Sequence, residues 1–267
     1  MASSLKRHFE LLLAYALQFI KVRFAYRADF IISTGASMLA TVFAFGFLVV
    51  LFGRVPRLAG WKFEEVLFLY GFSLIPFGLF NVVSLNLYNF GNDYIIEGKF
   101  DRVLLRPVAT LYQVIFEVFR IESLHEVAVG LLAVWLATTR LKLAWGPLDL
   151  VLLVFFALCG AVIYVAIFLM LTCVTFWVED RVGVHPPVWN LIAFGRYPLS
   201  IYSGFVQFVL SWIIPFGFAS FYPSVRLLGR PEFRSYAWLV PLVAAAFMGM
   251  ALALWNRGVR QYASTGS

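Results

Sequence analysis

A chain of 267 residues that is 62% hydrophobic and only 13% charged falls well below the roughly 25% charge of a soluble globular protein. Spans of roughly 20 apolar residues, the length that a ~30 Å bilayer core demands, fill nearly all of it, so these residues leave no room for a second, soluble domain. The net charge of +7 would suit a nucleic-acid binder, but the basic residues gather at the ends of apolar runs, where they meet lipid headgroups. No basic face with interleaved aromatics stands clear, and no nucleic-acid partner is expected.

At the N-terminus Lys6 and Arg7, "LLL" and "AYA" have the order of a signal peptide, but the apolar stretch is too short for one. Leu5, Phe9, Leu12, Leu13, Ala16, Leu17 and Ile20 follow helical spacing, and Lys6, Arg7, Glu10, Gln18 and Lys21 share the opposite arc. That pattern predicts an amphipathic helix over 5–27 lying in the membrane interface. Arg23, Arg27 and Asp29 interrupt its apolar face and turn the chain into the membrane.

The first span is predicted over 30–52. Ser33, Ser37, Ala40 and Ala44 line one side of it, and small residues let helix backbones approach closely in lipid. Two readings are open for this stripe, a packing face within one subunit or an interface between subunits. After "GRVPRLAGWKFEE", with Trp61 at the interface, a second span covers 65–87 and contains Pro76. A polar segment follows to residue 107. The third span is predicted over 108–138, longer than the bilayer needs, and the fourth over 150–176.

"WVEDRVGVHPP" leads to a fifth span over 188–201. Pro198, Pro215 and Pro223, with Gly204 and Gly217, then break the pattern, because proline removes a donor and clashes with the preceding turn. Residues 202–226 are therefore predicted as a re-entrant segment on the outer side, and 236–255 as the sixth span. The fold class expected is an all-α integral membrane protein of six transmembrane helices.

Orientation follows from the basic residues. One side holds Lys6, Arg7, Lys21, Arg23, Arg27, Lys99, Arg102, Arg106, Arg181, Arg257 and Arg260, eleven in all. The other holds Arg54, Arg57, Lys62, Arg140, Lys142, Arg226, Arg230 and Arg234, eight in all. The richer side, with both termini, is expected to be cytoplasmic.

Chemistry is sparse. No G-x-x-x-x-G-K-[ST] cradle exists, since Gly98–Lys99 lacks the upstream glycine, so the chain is not expected to bind ATP itself. There is no H-E-x-x-H, and His8, His125 and His185 form no catalytic constellation. Cys159 and Cys173 are too far apart for a disulfide, about 21 Å along a helix, and suggest no metal site. Neither enzymatic activity nor a metal or cofactor is expected of this chain. The most polar stretch within a span is "EVFRIESLHE". Glu117 and Arg120 are spaced to pair on one face. Glu122 and Glu126 share another face, and His125 can bridge toward either. Charges at depth usually face a cavity or a bundle interior, which makes these five residues a candidate substrate or proton pathway. The alternative is that the long third helix protrudes and its first turns are wet.

One polar stretch remains, "NDYIIEGKFDRVLLRP" at 92–107. Its apolar residues are interleaved with charge, as in a short helix lying along a membrane face, with Gly98 allowing a bend and Pro107 fixing the next helix entry.

"GKFDRVLLRPVATLYQV" resembles the G-x-F-D-x-x-L-x-R-P signature of a bacterial sub-family of ABC-2-type permeases, and "FWVED", "YPLSIY" and "IIPFGFASFYP" resemble its later motifs in order. The resemblance implies a permease of an ATP-driven exporter in the bacterial inner membrane, moving an amphiphilic or hydrophobic substrate by alternating access. Two permeases, identical or homologous, would pair above two cytoplasmic ATPases, which would bind the ATP and magnesium. It implies that 92–107 is the coupling helix. Phe100 would be an apolar plug in the ATPase, with Glu97, Gly98, Lys99, Asp101, Arg102 and Arg106 setting the register. The helix carrying Lys6, Arg7, Glu10 and Lys21 would be a second ATPase contact. It also favours the first and fifth spans, with Ser33, Ser37, Ala40 and Ala44, as the dimer interface. The rival reading is a proton-driven secondary transporter using Glu122, Glu126 and His125.

Overall fold

Backbone polar groups in lipid must be satisfied within the protein, which restricts spanning structure to helices and closed barrels. The computed structural model describes residues 27–84, 86–178 and 185–262, and among these the chain is predominantly helical, with no named strand. The predicted interfacial helix, with Lys6, Arg7, Glu10 and Lys21, lies outside the described residues.

The long helices are α1 (Arg27–Arg54) and α2 (Phe63–Ser84). A short helix α3 (Asn86–Phe90) and a wider turn (Gly91–Ile96) lead to α4 (Lys99–Leu104) and α5 (Thr110–Phe116). Next come α6 (Leu124–Leu141), α7 (Pro147–Val174) and the short α8 (His185–Leu191). The bent pair Gly204–Ile213 and Gly217–Leu227 contains α9 (Gly204–Phe208) and α10 (Tyr222–Leu227), and the described chain closes with α11 (Val240–Gln261). Among the described residues five helical segments are long and apolar enough to cross a membrane, and a sixth is counted if the bent pair is one span. This is an all-α integral membrane architecture.

α2 is the hub. It packs along α6 and also against α7, which in turn packs along α11. Its sequence is apolar on all sides, as expected of a helix surrounded by others rather than by lipid on one face. Glycine permits the closest crossings. A Cβ on Gly130 of α6 would lie 2.6 Å from the Gly71 carbonyl of α2, and one on Gly160 of α7 would lie 2.6 Å from the Ala219 carbonyl and 2.9 Å from Pro76. The second arm of the bent pair is buried almost completely, as irregular backbone at membrane depth must be. Ser220, fully buried, donates to the Gly195 carbonyl at 2.6 Å, and Ser211 and Tyr222 share a hydrogen bond of 2.8 Å. The two arms meet at 81°, with Pro215 in the break.

Several expectations are corrected. The third span is not continuous over 108–138: helix stops after Phe116, residues 118–120 are non-helical, and helix resumes through a tight turn at Ile121–Ser123. The Arg120 amide donates to the Val82 carbonyl of α2 at 2.9 Å, so a tertiary hydrogen bond replaces the helical one. The fifth span over 188–201 is no span. α8 ends at Leu191 and gives way to short 3-10 turns at Ile192–Arg196 and Leu199–Ile201, separated by Pro198, which cannot donate to a continuing helix. Trp61 is not a lipid-facing anchor. It is 2% exposed, donates to Ser200 at 3.0 Å and lies under the Arg230 guanidinium at 4.0 Å, while Arg230 pairs with Glu65 at 3.2 Å.

The Ser33, Ser37, Ala40 and Ala44 stripe splits between the two readings left open. Ser33, Ser37 and Ala44 are half-buried against their own subunit, and only Ala40 is exposed.

Candidate docking segment and membrane-embedded cavity

The 92–107 stretch is not one helix. Gly91–Ile96 is a wide turn, and Gly98 adopts a left-handed φ of +69° before α4 begins, a conformation that costs an L-residue roughly 1–2 kcal/mol. This bend directs α4 across the ends of α7 and α11. Its inward face is Phe100 and Val103. Phe100 is fully buried, ringed edge-on by Phe90, Phe176, Trp255 and Tyr262 at centroid distances of 4.9 to 6.0 Å. It is therefore not an exposed plug but the anchor that fixes α4 to its own bundle.

Polar ties reinforce this anchoring. Tyr262 donates to Asp101 at 3.1 Å, and Gln113 donates to the carbonyls of Val103 and Val108 at 3.1 and 2.8 Å. Burial, followed by the hydrogen bond to Asp101, pushes the Tyr262 phenol up to about 12. Tyr94 donates to Glu117, and burial followed by that carboxylate raises its phenol well above the ordinary range.

The outward side carries Ile96, Glu97, Lys99, Arg102, Leu104, Leu105, Arg106 and Pro107, all exposed. Lys99 pairs with Glu97 at 2.9 Å, a contact that raises the ammonium pKa. Leu105 is 85% exposed, far more than a leucine gains by facing water. The segment thus presents an apolar knob within a charged rim.

The second feature lies among α1, α2 and the break before α6. A cavity of ≈ 200 Å³ is lined by Ser33, Ser37, Phe77, Asn81, Arg120, Glu122, Ser123, His125, Glu126 and Trp189. The structure therefore brings Arg120, Glu122, His125 and Glu126 together. Glu117 is left apart, beside Tyr94, because the break separates it from Arg120. The expected Glu117–Arg120 pair is replaced by Arg120–Glu122 at 3.7 Å. His125 bridges to neither carboxylate side chain. Its Nδ1 donates to the Glu122 carbonyl at 2.6 Å, so in the neutral ring Nε2 accepts from Ser37 at 3.1 Å. Asn81 donates to Glu126 at 2.9 Å. Asn81, Ser37 and Trp189 complete the cavity and escaped the sequence reading, because partners as distant as Ser37 and His125 share no local pattern.

The described residues thus form a polytopic helical bundle with a partly open polar cavity and a charged helix clamped across one end. Residues 36–266 match the family described as ABC-2 family transporter protein, and the chain belongs to that family. No curated protein and no solved structure matches the chain.

Proposed function

We propose that the chain is the permease subunit of an ATP-driven exporter in a bacterial inner membrane, moving an amphiphilic or hydrophobic substrate outward. A separate cytoplasmic ATPase docks on the exposed side of α4. The observation that carries this reading is the two-sidedness of the segment. Phe100 and Val103 clamp it to the ends of α7 and α11, while Leu105 projects within the rim of Glu97, Lys99, Arg102 and Arg106. An element held rigidly to the bundle and offering an unpartnered knob transmits a push from outside. ATP and magnesium belong to the partner, and closure of two ATPases moves two permeases from inward to outward access. Coupling of this kind needs one element biased by both sites.

The second permease, identical or homologous, packs on the exposed side of α1. Gly35, Leu39, Val42, Gly46, Val49 and Gly53 recur there at heptad spacing and are all exposed, and nothing lies within 4 Å of a Cβ built on any of the three glycines. Such a seam lets a partner helix approach closely. The deciding test is affinity purification of the tagged chain from native membranes. Recovery of a Walker-motif ATPase that is lost on Leu105→Asp, with the permease still folded, supports the reading. An unchanged ATPase yield from Leu105→Asp sinks the docking assignment.

A further inference from the structure

We propose that the cavity among α1, α2 and the start of α6 binds the protonated amine head of an amphiphilic molecule. The inference rests on the transporter reading, since this amine is the head of the cargo.

Charge is the first argument. Among the described residues Arg120 and Glu122 offset each other at 3.7 Å, and His125 is held between the Glu122 carbonyl and Ser37. Glu126 has the Asn81 amide at 2.9 Å and no ion pair among the described residues. Arg196, whose charge also bears on Glu126, is engaged by the Tyr70 hydroxyl at 3.1 Å and by the Phe77 ring at 5.1 Å, and it does not line the cavity. Glu126 is therefore a cavity carboxylate that no cation among the described residues pairs with directly, and ionisable groups within apolar spanning helices are costly and mark binding sites or pathways.

The second argument is independent. Asn81 is 6% exposed and lines the cavity, yet its Oδ1 has no hydrogen-bond partner among the described residues. A buried acceptor left without a donor is rare and calls for one. An ammonium N–H supplies it, and a quaternary nitrogen does not.

The walls agree. Trp189, half-buried, lines the cavity, and its indole face is a surface that favours a cation nearby. The volume of ≈ 200 Å³, about six times a water's share of the liquid, admits a head and the first part of its tail.

The test is equilibrium dialysis of radiolabelled 2-phenylethylamine against the full chain purified in detergent. The expected result is one saturable site per chain. Glu126→Gln should weaken it about tenfold or more, as expected for loss of a charged partner. Glu232→Gln, an exposed carboxylate in the loop before α11, should leave it unchanged. 2-Phenylethyltrimethylammonium should bind several-fold more weakly, and 2-phenylethanol should not compete. Should Glu126→Gln fail to fold, Trp189→Leu serves in its place, with an expected loss of at least threefold. Absence of saturable binding, full affinity in the folded variant, or equal competition by the alcohol overturns the site. Equal binding of the quaternary analogue overturns the Asn81 contact. The measurement needs no ATPase. A chain that docks its ATPase and exports, yet binds no amine, keeps the transport reading and loses this one. A chain that binds the amine but recovers no ATPase does the reverse.

Discussion

Phe100 and Leu105 stand five residues apart in one motif, and their surroundings give them opposite tasks. Phe100→Ala removes a fully buried ring from the Phe90, Phe176, Trp255 and Tyr262 cluster and should cost about 3–5 kcal/mol, read as a fall in thermal stability by intrinsic fluorescence. Leu105→Asp touches no core and should leave that transition in place while abolishing ATPase recovery. Interleaved charge marked the segment in the sequence, but which apolar residue faced inward was not legible, because a six-residue helix can roll either way until its neighbours fix it. Tyr262 adds a pH prediction at the same contact. Its phenol is raised from the ordinary 10.0 to about 12 by burial and by Asp101, so the neutral form is the one the fold favours. Its stabilising effect is complete below pH 10 and is lost as the pH rises through about 12. A stability titration from pH 9 to 12 should show this loss in the wild-type chain, and Tyr262→Phe should remove the component. A profile unchanged by that substitution would show that the Asp101 contact does not matter.

At the scale of elements, glycines that look alike in sequence divide by what they touch. Gly130→Ala and Gly160→Ala insert a methyl where a carbonyl already lies 2.6 Å away. Each should destabilise the bundle by about 1–3 kcal/mol through overpacking, measured as a lowered melting temperature in detergent. Gly46→Ile on α1 meets open space and should leave the melting temperature alone while shifting the permease from dimer to monomer in light scattering. A dimer that survives Gly46→Ile would move the second permease to another face. Helix existence was legible from hydropathy, since 65–87 and 150–176 fall close to α2 and α7. The break at 117–120 was not, because "EVFR" holds neither glycine nor proline. There the Arg120 amide leaves the helix for the Val82 carbonyl, a choice that only a neighbouring helix makes available.

Across the whole molecule, the charged segment, the ends of α7 and α11, and the start of α8 gather on one side of the bundle. Trp61, Glu65 and Arg230 close the other side. The cavity lies between them, walled by α1, α2, α6 and α8. Phe100 ties α4 to the ends of α7 and α11, while only 6% of the apolar window of α1 is buried. The sequence by itself determined the all-α membrane class, the family and the presence of a break between Gly204 and Leu227, because hydropathy, proline and glycine act locally. Only the tertiary structure decided which side of each helix is inside. That choice made Phe100 an anchor, turned Ser33, Ser37 and Ala44 inward, and set Asn81 against Glu126. Burial is a property of neighbours in space, and a chain read residue by residue does not contain them.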